Sequence, residues 1–343
     1  MKYPNGITLV VIVAVGALAS APAKADDFYA GKTIAMSTHT AAGGGYDTYL
    51  RLLARHMNKH IPGKPTMVVM NQPGAGGLLA LNYAGRIAPK DGTFLTLVSQ
   101  GLLVHEATRQ PGLQVSLKDF QWLGNMSQSS VVTVTWHTTT IKTLADAKTK
   151  EVTVGSTGAG SISVQVPMLL NALFGTRFKI IYGYKGAGEM NLAMARGELD
   201  GRGANTWASY KTANPDDIKH NRFNVLIQIG LRKEAELPDV PLLTDLVAGD
   251  AVKDPIGRFM SLSLAITRPV AAPPGVPADR VKLLRRAFDA TMKDPEFLAE
   301  AAKLGSEIDP MSGEEVQEGV TQIMTMPKDV IDRTQGMIAA PVR

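Results

Sequence analysis

The chain has 343 residues, no cysteine, and 36 basic against 31 acidic residues, which gives a formal net charge of +5. The absence of cysteine excludes disulfides, thiol chemistry and Cys-ligated metals. Lysine and arginine are dispersed along the chain, without the basic stripe that neutralises a row of phosphates. Nucleic acid is therefore not an expected partner.

The first 25 residues have the pattern of a cleaved signal peptide. Lys2 supplies a positive start, residues 7–18 form an apolar run, and Ala23-Lys24-Ala25 is a small-x-small cleavage site. The apolar run is shorter than the roughly 20 residues that span a bilayer. We therefore expect residues 1–25 to be removed and a soluble protein that begins at Asp26 to be exported.

From residue 26 onward, short apolar runs alternate with helical patterns, which predicts parallel sheets covered by helices. The predicted strands are residues 33–37, 66–70, 94–98, 131–136, 152–154, 179–182, 225–229 and 260–266, together with a short strand that ends near Asn205. A loop is expected at residues 269–277, because this segment holds four prolines. Two lobes are predicted, the first formed by residues 26–127 plus 237–343 and the second by residues 128–236.

Four predicted strand-to-helix junctions consist of glycine and small polar residues. In chain order these loops are residues 41–47, 71–77, 155–161 and 184–188. Each junction places unpaired backbone N–H groups and the positive end of a helix dipole at one point, which favours an anion. The sequence therefore predicts a cleft that holds a carboxylate mainly by backbone amides.

The candidate ligand-binding residues lie in these four loops and at the ends of two further strands. They are Ala42, Gly43, Gly44, Gly45, Tyr46, Asp47, Asn71, Gly74, Ala75, Gly76, Gly77, Ser99, Gln100, Ser156, Thr157, Gly158, Ser161, Tyr184, Lys185, Gly186 and Asn205. Backbone amides of the first two loops are predicted to bind one carboxylate group together. Side chains of the other two loops are predicted to contact the distal end of the ligand. Asp47 is interpreted as an N-cap that orients the first loop, and Lys185 as a solvated lysine rather than a ligand contact.

The order of these pieces resembles that of the periplasmic solute receptors of tripartite tricarboxylate transporters, also called Bug proteins. The matching segments are residues 42–47, 71–77, 88–93, 184–186, 237–241 and 272–277, spread over essentially the whole mature chain. The family pattern differs at residues 37–40, where it usually has an apolar-aromatic-proline stretch, and at residues 164–167, where it usually has Pro-His-Leu-Ala.

The resemblance implies a two-lobed α/β periplasmic binding protein, type II-like, in which each lobe is a mostly parallel sheet flanked by helices. It also implies a monomer that closes like a Venus flytrap on a small organic carboxylate and delivers it to the membrane permease subunits of such a transporter. No cofactor and no enzymatic activity are expected.

Motifs of enzymes are incomplete in this chain. Gly158-x-Gly160-x-x-Ser163 lacks the third glycine of a dinucleotide fingerprint, and Gly31-Lys32-Thr33 lacks the upstream glycine of a phosphate loop. His56 and His60 have a metal-compatible spacing, but without a Glu partner we interpret them as solvated histidines and expect no metal. An exported hydrolase of unrecognised type and a receptor that feeds a signalling partner remain as alternatives.

Overall fold

The computed structural model describes residues 28–339, together with Met1. The predicted signal peptide therefore lies outside the described residues, apart from Met1. Within the part described, no helix is both long enough and apolar enough to cross a bilayer.

Eleven strands in this range form two mixed sheets. The first sheet has the order β11-β4-β10-β3-β1-β2, and the second has the order β7-β6-β8-β5-β9. The strands are β1 Thr33–Thr38, β2 Thr66–Asn71, β3 Phe94–Leu97, β4 Gln121–Asn125, β5 Val131–Trp136, β6 Val152–Ser156, β7 Phe178–Tyr182, β8 Gly201–Thr206, β9 Phe223–Ile229, β10 Pro269–Ala272 and β11 Met311–Ser312.

Helices cover the faces of both sheets. The α-helices are α1 Gly45–Met57, α2 Leu78–Arg86, α3 Gly101–Ala107, α4 Asp146–Thr149, α5 Ile162–Phe174, α6 Ala187–Ala195, α7 Trp207–Ala213, α8 Pro215–Lys219, α9 Leu243–Val247, α10 Lys253–Ala265, α11 Ala278–Met292, α12 Pro295–Lys303, α13 Gly313–Met324 and α14 Lys328–Ile338. Short 3₁₀ turns occupy Asn58–His60, Ala75–Gly77 and Leu117–Asp119.

The predicted two-sheet α/β fold is confirmed, but each sheet is mixed rather than mostly parallel, because β10 and β5 run antiparallel to both of their neighbours. In the first sheet β1 pairs in parallel with β2 and β3, and in the second β6 pairs in parallel with β7 and β8. The remaining neighbours, which are the pairs of β10, the pairs of β5 and the pair of β4 with β11, are antiparallel. The carboxyl ends of parallel strands meet at one edge of a sheet. The glycine loops that follow β1 and β2 therefore lie at that edge of the first sheet, and those that follow β6 and β7 lie at that edge of the second.

Two predicted elements were wrong. Residues 260–266 were expected as a buried strand, but residues 260–265 form the end of helix α10, because a short continuous apolar run fits a buried helix as well as a strand. Residues 269–272, expected as loop, form strand β10 between β3 and β4. Pro269 is tolerated there because it is the first residue of the strand.

The apolar core is continuous between the two sheets. One buried cluster includes Val98, which directly follows β3 of the first sheet, together with Val154 on β6 of the second sheet and Val330 on α14. Helix α14 packs against α5, and α10 contacts β9. The C-terminal part of the chain therefore contacts elements of both sheets, and the predicted lobe boundaries stay a prediction.

The two histidines of helix α1 and its 3₁₀ extension are not solvated, which corrects the expectation above. Nε2 of His56 lies 2.6 Å from a carboxylate oxygen of Glu300, and Nε2 of His60 lies 2.7 Å from Oδ2 of Asp294. Lys59 lies 2.7 Å from the same Asp294 oxygen. The carboxylate partners come from α12 and its N-cap, more than 200 residues away in sequence, so local spacing could not indicate them.

Asp294 joins this network to the start of α12, because its Oδ1 accepts hydrogen bonds from the backbone N–H groups of Glu296 and Phe297. The hydrogen bond from Lys59 holds the pKa of Asp294 well below its usual range. A carboxyl whose pKa is depressed in the folded state stabilises the fold above its unfolded pKa of about 3.9, and this stabilisation is lost as the pH falls.

We predict that Asp294→Asn lowers the melting temperature by a few degrees at about pH 7 and flattens the acid side of the stability curve. Glu296→Gln is the matched control, because Glu296 lies at the same 2.7 Å from Lys59 but is 78% exposed, whereas Asp294 is 8% exposed. An exposed ion pair contributes little. Equal effects of the two substitutions in thermal unfolding would contradict the assignment.

Candidate ligand-binding site

A cavity of about 50 Å³ lies between the two sheets, at the carboxyl ends of their parallel strands. One water needs about 10–15 Å³ on this scale, so the cavity has room for several water-sized groups. Its lining combines residues that follow strands of both sheets. They are His39, Thr40, Gly44, Gly45, Tyr46, Ser99, Gln100, Thr157, Ser161, Ile162, Ser163, Gly186, Ala187, Met190, Arg202, Ala204, Asn205 and Ser209.

Two helix N-termini from opposite sheets meet at this cavity. Helix α1 follows β1 and begins after Gly44, and helix α6 follows β7 and begins after Gly186; neither of these described N-caps makes a side-chain hydrogen bond. A Cβ added at Gly44 would lie 3.5 Å from Cβ of Ala187, so the two termini are in van der Waals range. Their first N–H groups lack intrahelical acceptors, which makes the region between them favourable for an anion.

Asp47 holds the first glycine loop from within α1. Its carboxylate accepts a hydrogen bond from the backbone N–H of Gly43 at 3.0 Å and bonds Arg51 and Asn71. Burial alone would raise the pKa of Asp47, but the hydrogen bonds from Arg51, Gly43 and Asn71 outweigh it and hold the pKa below its usual value. The residue is therefore not the N-cap, which is Gly44, although it does orient the loop as expected.

The second and third glycine loops bind each other. The backbone N–H of Gly76 donates to the carbonyl of Thr157 at 2.9 Å, and the N–H of Gly160 donates to the carbonyl of Ala75 at 3.1 Å. The first and fourth loops make a similar contact, since the N–H of Ala41 donates to the carbonyl of Lys185 at 3.2 Å. Main-chain hydrogen bonds thus join the two sheets on both sides of the cavity.

Two arginines are buried beside the cavity. Arg202 on β8 lines it, and Nη1 of this residue donates to Asn191 at 2.9 Å. Arg268 is 0% exposed and donates to Thr206 at 2.9 Å and to the cavity-lining Ser209 at 2.5 Å. In the described part of the chain, no carboxylate is hydrogen-bonded or ion-paired to either guanidinium.

Arg268 also lies over two aromatic rings. Its guanidinium carbon is 4.3 Å from the ring centre of Tyr46 and 4.9 Å from that of Tyr49. A cation over a ring face is stabilised by the ring quadrupole, by about 2 kcal/mol or more where water is excluded. The segment before β10 is thus tied both to α1 and, through Thr206 and Ser209, to the start of α7.

Polar side chains without partners face the same space. Gln100 is 0% exposed, and neither atom of its side-chain amide has a hydrogen-bond partner among the described residues. Nδ1 of His39 and Nε of Arg202 are likewise buried and unpaired within residues 28–339. Buried polar groups are normally hydrogen-bonded, so three unpaired ones around one cavity indicate a site for a polar ligand.

Nine of the predicted site residues line the cavity. They are Gly44, Gly45, Tyr46, Ser99, Gln100, Thr157, Ser161, Gly186 and Asn205. The other predicted residues do not contribute to its lining. They are Ala42, Gly43, Asp47, Asn71, Gly74, Ala75, Gly76, Gly77, Ser156, Gly158, Tyr184 and Lys185. Ligand contact by any of these residues stays a prediction.

Two of the lining residues outside the predicted set, His39 and Arg202, could have been recognised from the sequence. His39 lies in the segment 37–40, a polar run directly at the carboxyl end of β1, where ligands bind in open α/β sheets. Arg202 stands between two glycines in strand β8, whose positions are almost all buried. Charged residues are rarely fully buried unless paired, so an arginine at such a position is informative.

Comparison with known proteins adds the family. A family model described as the tripartite tricarboxylate transporter family receptor, TctC, matches residues 49–340. The chain belongs to this receptor family. The predicted resemblance is confirmed, and the receptors of this family are solute-binding proteins.

Individual similarities are more distant. A UPF0065 protein from Agrobacterium vitis is 27% identical to this receptor over 291 residues, which are 83% of this chain and 78% of the relative. The solved structure of the periplasmic binding protein BugD is similar with a TM-score of 0.70 at 20% identity, over 90% of this chain and 99% of that chain. MatC from Rhodopseudomonas palustris with bound malate has a TM-score of 0.68 at 18% identity, over 88% of this chain and 99% of that chain.

We predict that Gly76→Ala weakens ligand binding of the receptor by about tenfold or more while each sheet stays folded. A Cβ on Gly76 would lie 2.8 Å from the carbonyl oxygen of Gly158 and closer still to the amide nitrogen of Ser161. The contact between the second and third loops would have to open, which shifts the receptor away from the form that surrounds the cavity. Small-angle scattering and calorimetry measure the two effects.

Gly197→Ala is the control for backbone strain in that experiment. Gly197 has a φ of +76°, close to the +69° of Gly76, but a Cβ there meets nothing within 4 Å. Both substitutions therefore carry the left-handed penalty of about 1–2 kcal/mol, and only Gly76→Ala carries the collision. If both variants bind equally well, the cross-sheet contact is not required.

We predict that His39 makes the receptor less stable as the pH falls below about 6.5. Burial lowers the pKa of His39 to about 4, so the unfolded chain takes up this proton before the folded one does. The contribution is absent above the unfolded pKa of about 6.5 and grows as the pH falls toward 4, amounting to about 2 kcal/mol at about pH 5.

Urea unfolding of His39→Gln at about pH 7.5 and about pH 5 measures this contribution. The variant should lose about 2 kcal/mol less than the wild type between these two pH values. His220→Gln, at an exposed position, should keep the wild-type difference. An unchanged pH dependence in His39→Gln would show that the imidazole is not buried in its neutral form.

Proposed function

We propose that the receptor captures a small organic carboxylate between its two sheets and delivers it to the membrane permease subunits of a tripartite tricarboxylate-type transporter. The observation that carries this proposal is the meeting of the N-termini of α1 and α6 at one cavity. Hydrogen bonds to a charged partner contribute about 1.5–3 kcal/mol each, against about 0.3–1 kcal/mol for a helix dipole. Backbone amides of both termini would therefore supply most of the binding free energy.

The electrostatics of the cavity support an anion. Arg202 is the one charged side chain among its described lining residues, and no Asp or Glu occurs in that set. His39 adds a neutral imidazole at the pH of most measurements, because burial lowers its pKa to about 4. Gln100 offers an unpaired amide that can donate to a carboxylate oxygen.

A ligand in this position would contact both halves of the molecule. It would favour the closed arrangement only through contacts that the open arrangement lacks, and the paired termini of α1 and α6 provide such contacts. The closed receptor would then be the form that the permease recognises. The malate bound to MatC, a protein of similar fold, is consistent with this ligand class.

The proposal includes the processing and architecture expected from the sequence. We infer that residues 1–25 are removed on export to the periplasm, and that the mature receptor is a monomer. Its first lobe consists of residues 26–127 plus 237–343, and its second lobe consists of residues 128–236. The contact of α14 with α5 then lies between the two lobes.

We predict that the purified mature receptor binds one carboxylate per molecule and releases it unchanged. A thermal-shift screen of mono-, di- and tricarboxylates should find acids that raise the melting temperature, since a ligand at 100 times its Kd stabilises the folded state by about 2.7 kcal/mol. Titration calorimetry should then give a stoichiometry of about one. If no acid in such a panel stabilises the protein, carboxylate binding is wrong.

Two controls separate the alternatives. Nuclear magnetic resonance of the acid after prolonged incubation should show no new product, whereas product formation would support an exported hydrolase. Uptake of the identified acid should fall in cells that lack the protein. Normal uptake together with an altered transcriptional response to the acid would instead support a receptor that feeds a signalling partner.

A further inference from the structure

Arg202 is a buried cation that the fold itself does not neutralise. The residue is 3% exposed on strand β8, and its guanidinium lies 5.4 Å from the ring centre of Tyr210. Its hydrogen bond to the neutral side chain of Asn191 fixes Nη1, while Nε has no partner among the described residues. Burial without a carboxylate lowers the pKa of Arg202 below its ordinary value.

Burial of such a charge is costly unless an anion accompanies it. Buried charges in proteins are normally paired, and an uncompensated one destabilises the fold. Arg268 brings a second uncompensated charge to the same region, through its bond to the cavity-lining Ser209. The region thus holds two positive charges with no acidic side chain bonded to either one within residues 28–339, so one negative charge on a ligand would leave an imbalance.

We propose that Arg202 is the specificity-determining residue of the cavity and binds a second anionic group of the ligand, so that the preferred ligand is a short dicarboxylate. This inference rests on the proposed function. The first carboxylate would lie at the N-termini of α1 and α6, and the second at Arg202. Both lie around a cavity of about 50 Å³, which limits the chain between the two carboxylates to a few carbon atoms.

An arginine suits this task better than a lysine would. A guanidinium presents its donors in a fixed planar fork that matches the two oxygens of a carboxylate. Asn191 holds one end of the fork, and Asn191 is itself held by its hydrogen bond to Asn214 at 2.6 Å. The free edge of the guanidinium is therefore oriented before a ligand arrives, which reduces the entropy lost on binding.

The test compares each dicarboxylate with its own monoamide, which has nearly the same size and shape but one charge fewer. Malonate, succinate and glutarate and their three monoamides are titrated into the mature receptor by calorimetry. We expect at least one of the diacids to bind at least about ten times more tightly than its monoamide, which is the lower end of what a charge-assisted hydrogen bond contributes. In Arg202→Met this ratio should fall to about one, and in Arg202→Lys it should be partly kept.

Thermal unfolding of the ligand-free variants distinguishes this role from a structural one. Arg202→Met removes an unpaired buried charge, so its melting temperature without ligand should equal or exceed that of the wild type. Arg196→Met, which removes an exposed arginine from the same half of the protein, should keep the wild-type ratio of diacid to monoamide. A melting temperature of Arg202→Met well below that of the wild type would mean that Arg202 holds the fold together, and would overturn the inference.

The outcomes separate this inference from the function on which it rests. If monoamides bind as tightly as diacids, or if Arg202→Met keeps a tenfold ratio, the role of Arg202 is wrong and carboxylate binding stands. If neither the diacids nor the monoamides nor any other carboxylate binds, both proposals are wrong.

Discussion

The contact between two glycine turns sets the distance between the two sheets. Hydrogen bonds of 2.9 and 3.1 Å join the main chain of Ala75 and Gly76 to that of Thr157 and Gly160. At two positions of this contact there is no room for a side chain, because a Cβ on Gly76 or Gly158 would collide with the opposite turn. With this distance fixed, the N-termini of α1 and α6 lie next to each other, and the cavity between the sheets is small.

Because the cavity is small and enclosed by protein, the charges around it act strongly on any ion inside it. Walls of low dielectric strengthen the field of Arg202 and Arg268, whose hydrogen-bond and ring partners within residues 28–339 are all neutral. Without a ligand the fold carries the desolvation cost of both cations. An anion bound in the cavity, as proposed above, would remove part of that cost, and it would do so most effectively with the two sheets close together. The same charges can therefore favour ligand binding and closure at once.

The sequence predicted what is local and missed what depends on distant parts of the chain. Glycine-rich turns after apolar strands are local signals, and the loops after β1, β2, β6 and β7 lie at strand ends as expected. Which loop meets which depends on strand order, so the pairing of the second loop with the third could not be derived from spacing. Helix α10 was misread as a strand because periodicity cannot separate the two in a short apolar run. Arg202 was missed because loops, rather than strands, were searched for polar groups.

The four glycine loops are similar in sequence but differ in the acceptors that their backbone N–H groups bond, so they need not have the same function. Every buried N–H group needs one acceptor, and those of Gly76 and Gly160 already have carbonyl acceptors in the opposite loop. In this arrangement these two amides are therefore bonded to protein carbonyl groups rather than free for a carboxylate. The first turns of α1 and α6 differ, because their N–H groups lack intrahelical acceptors and their N-caps supply no side-chain oxygen. A glycine-rich loop thus indicates that its backbone closely approaches another group. The hydrogen-bond partner of each amide determines whether that group belongs to the other half of the protein or to a ligand.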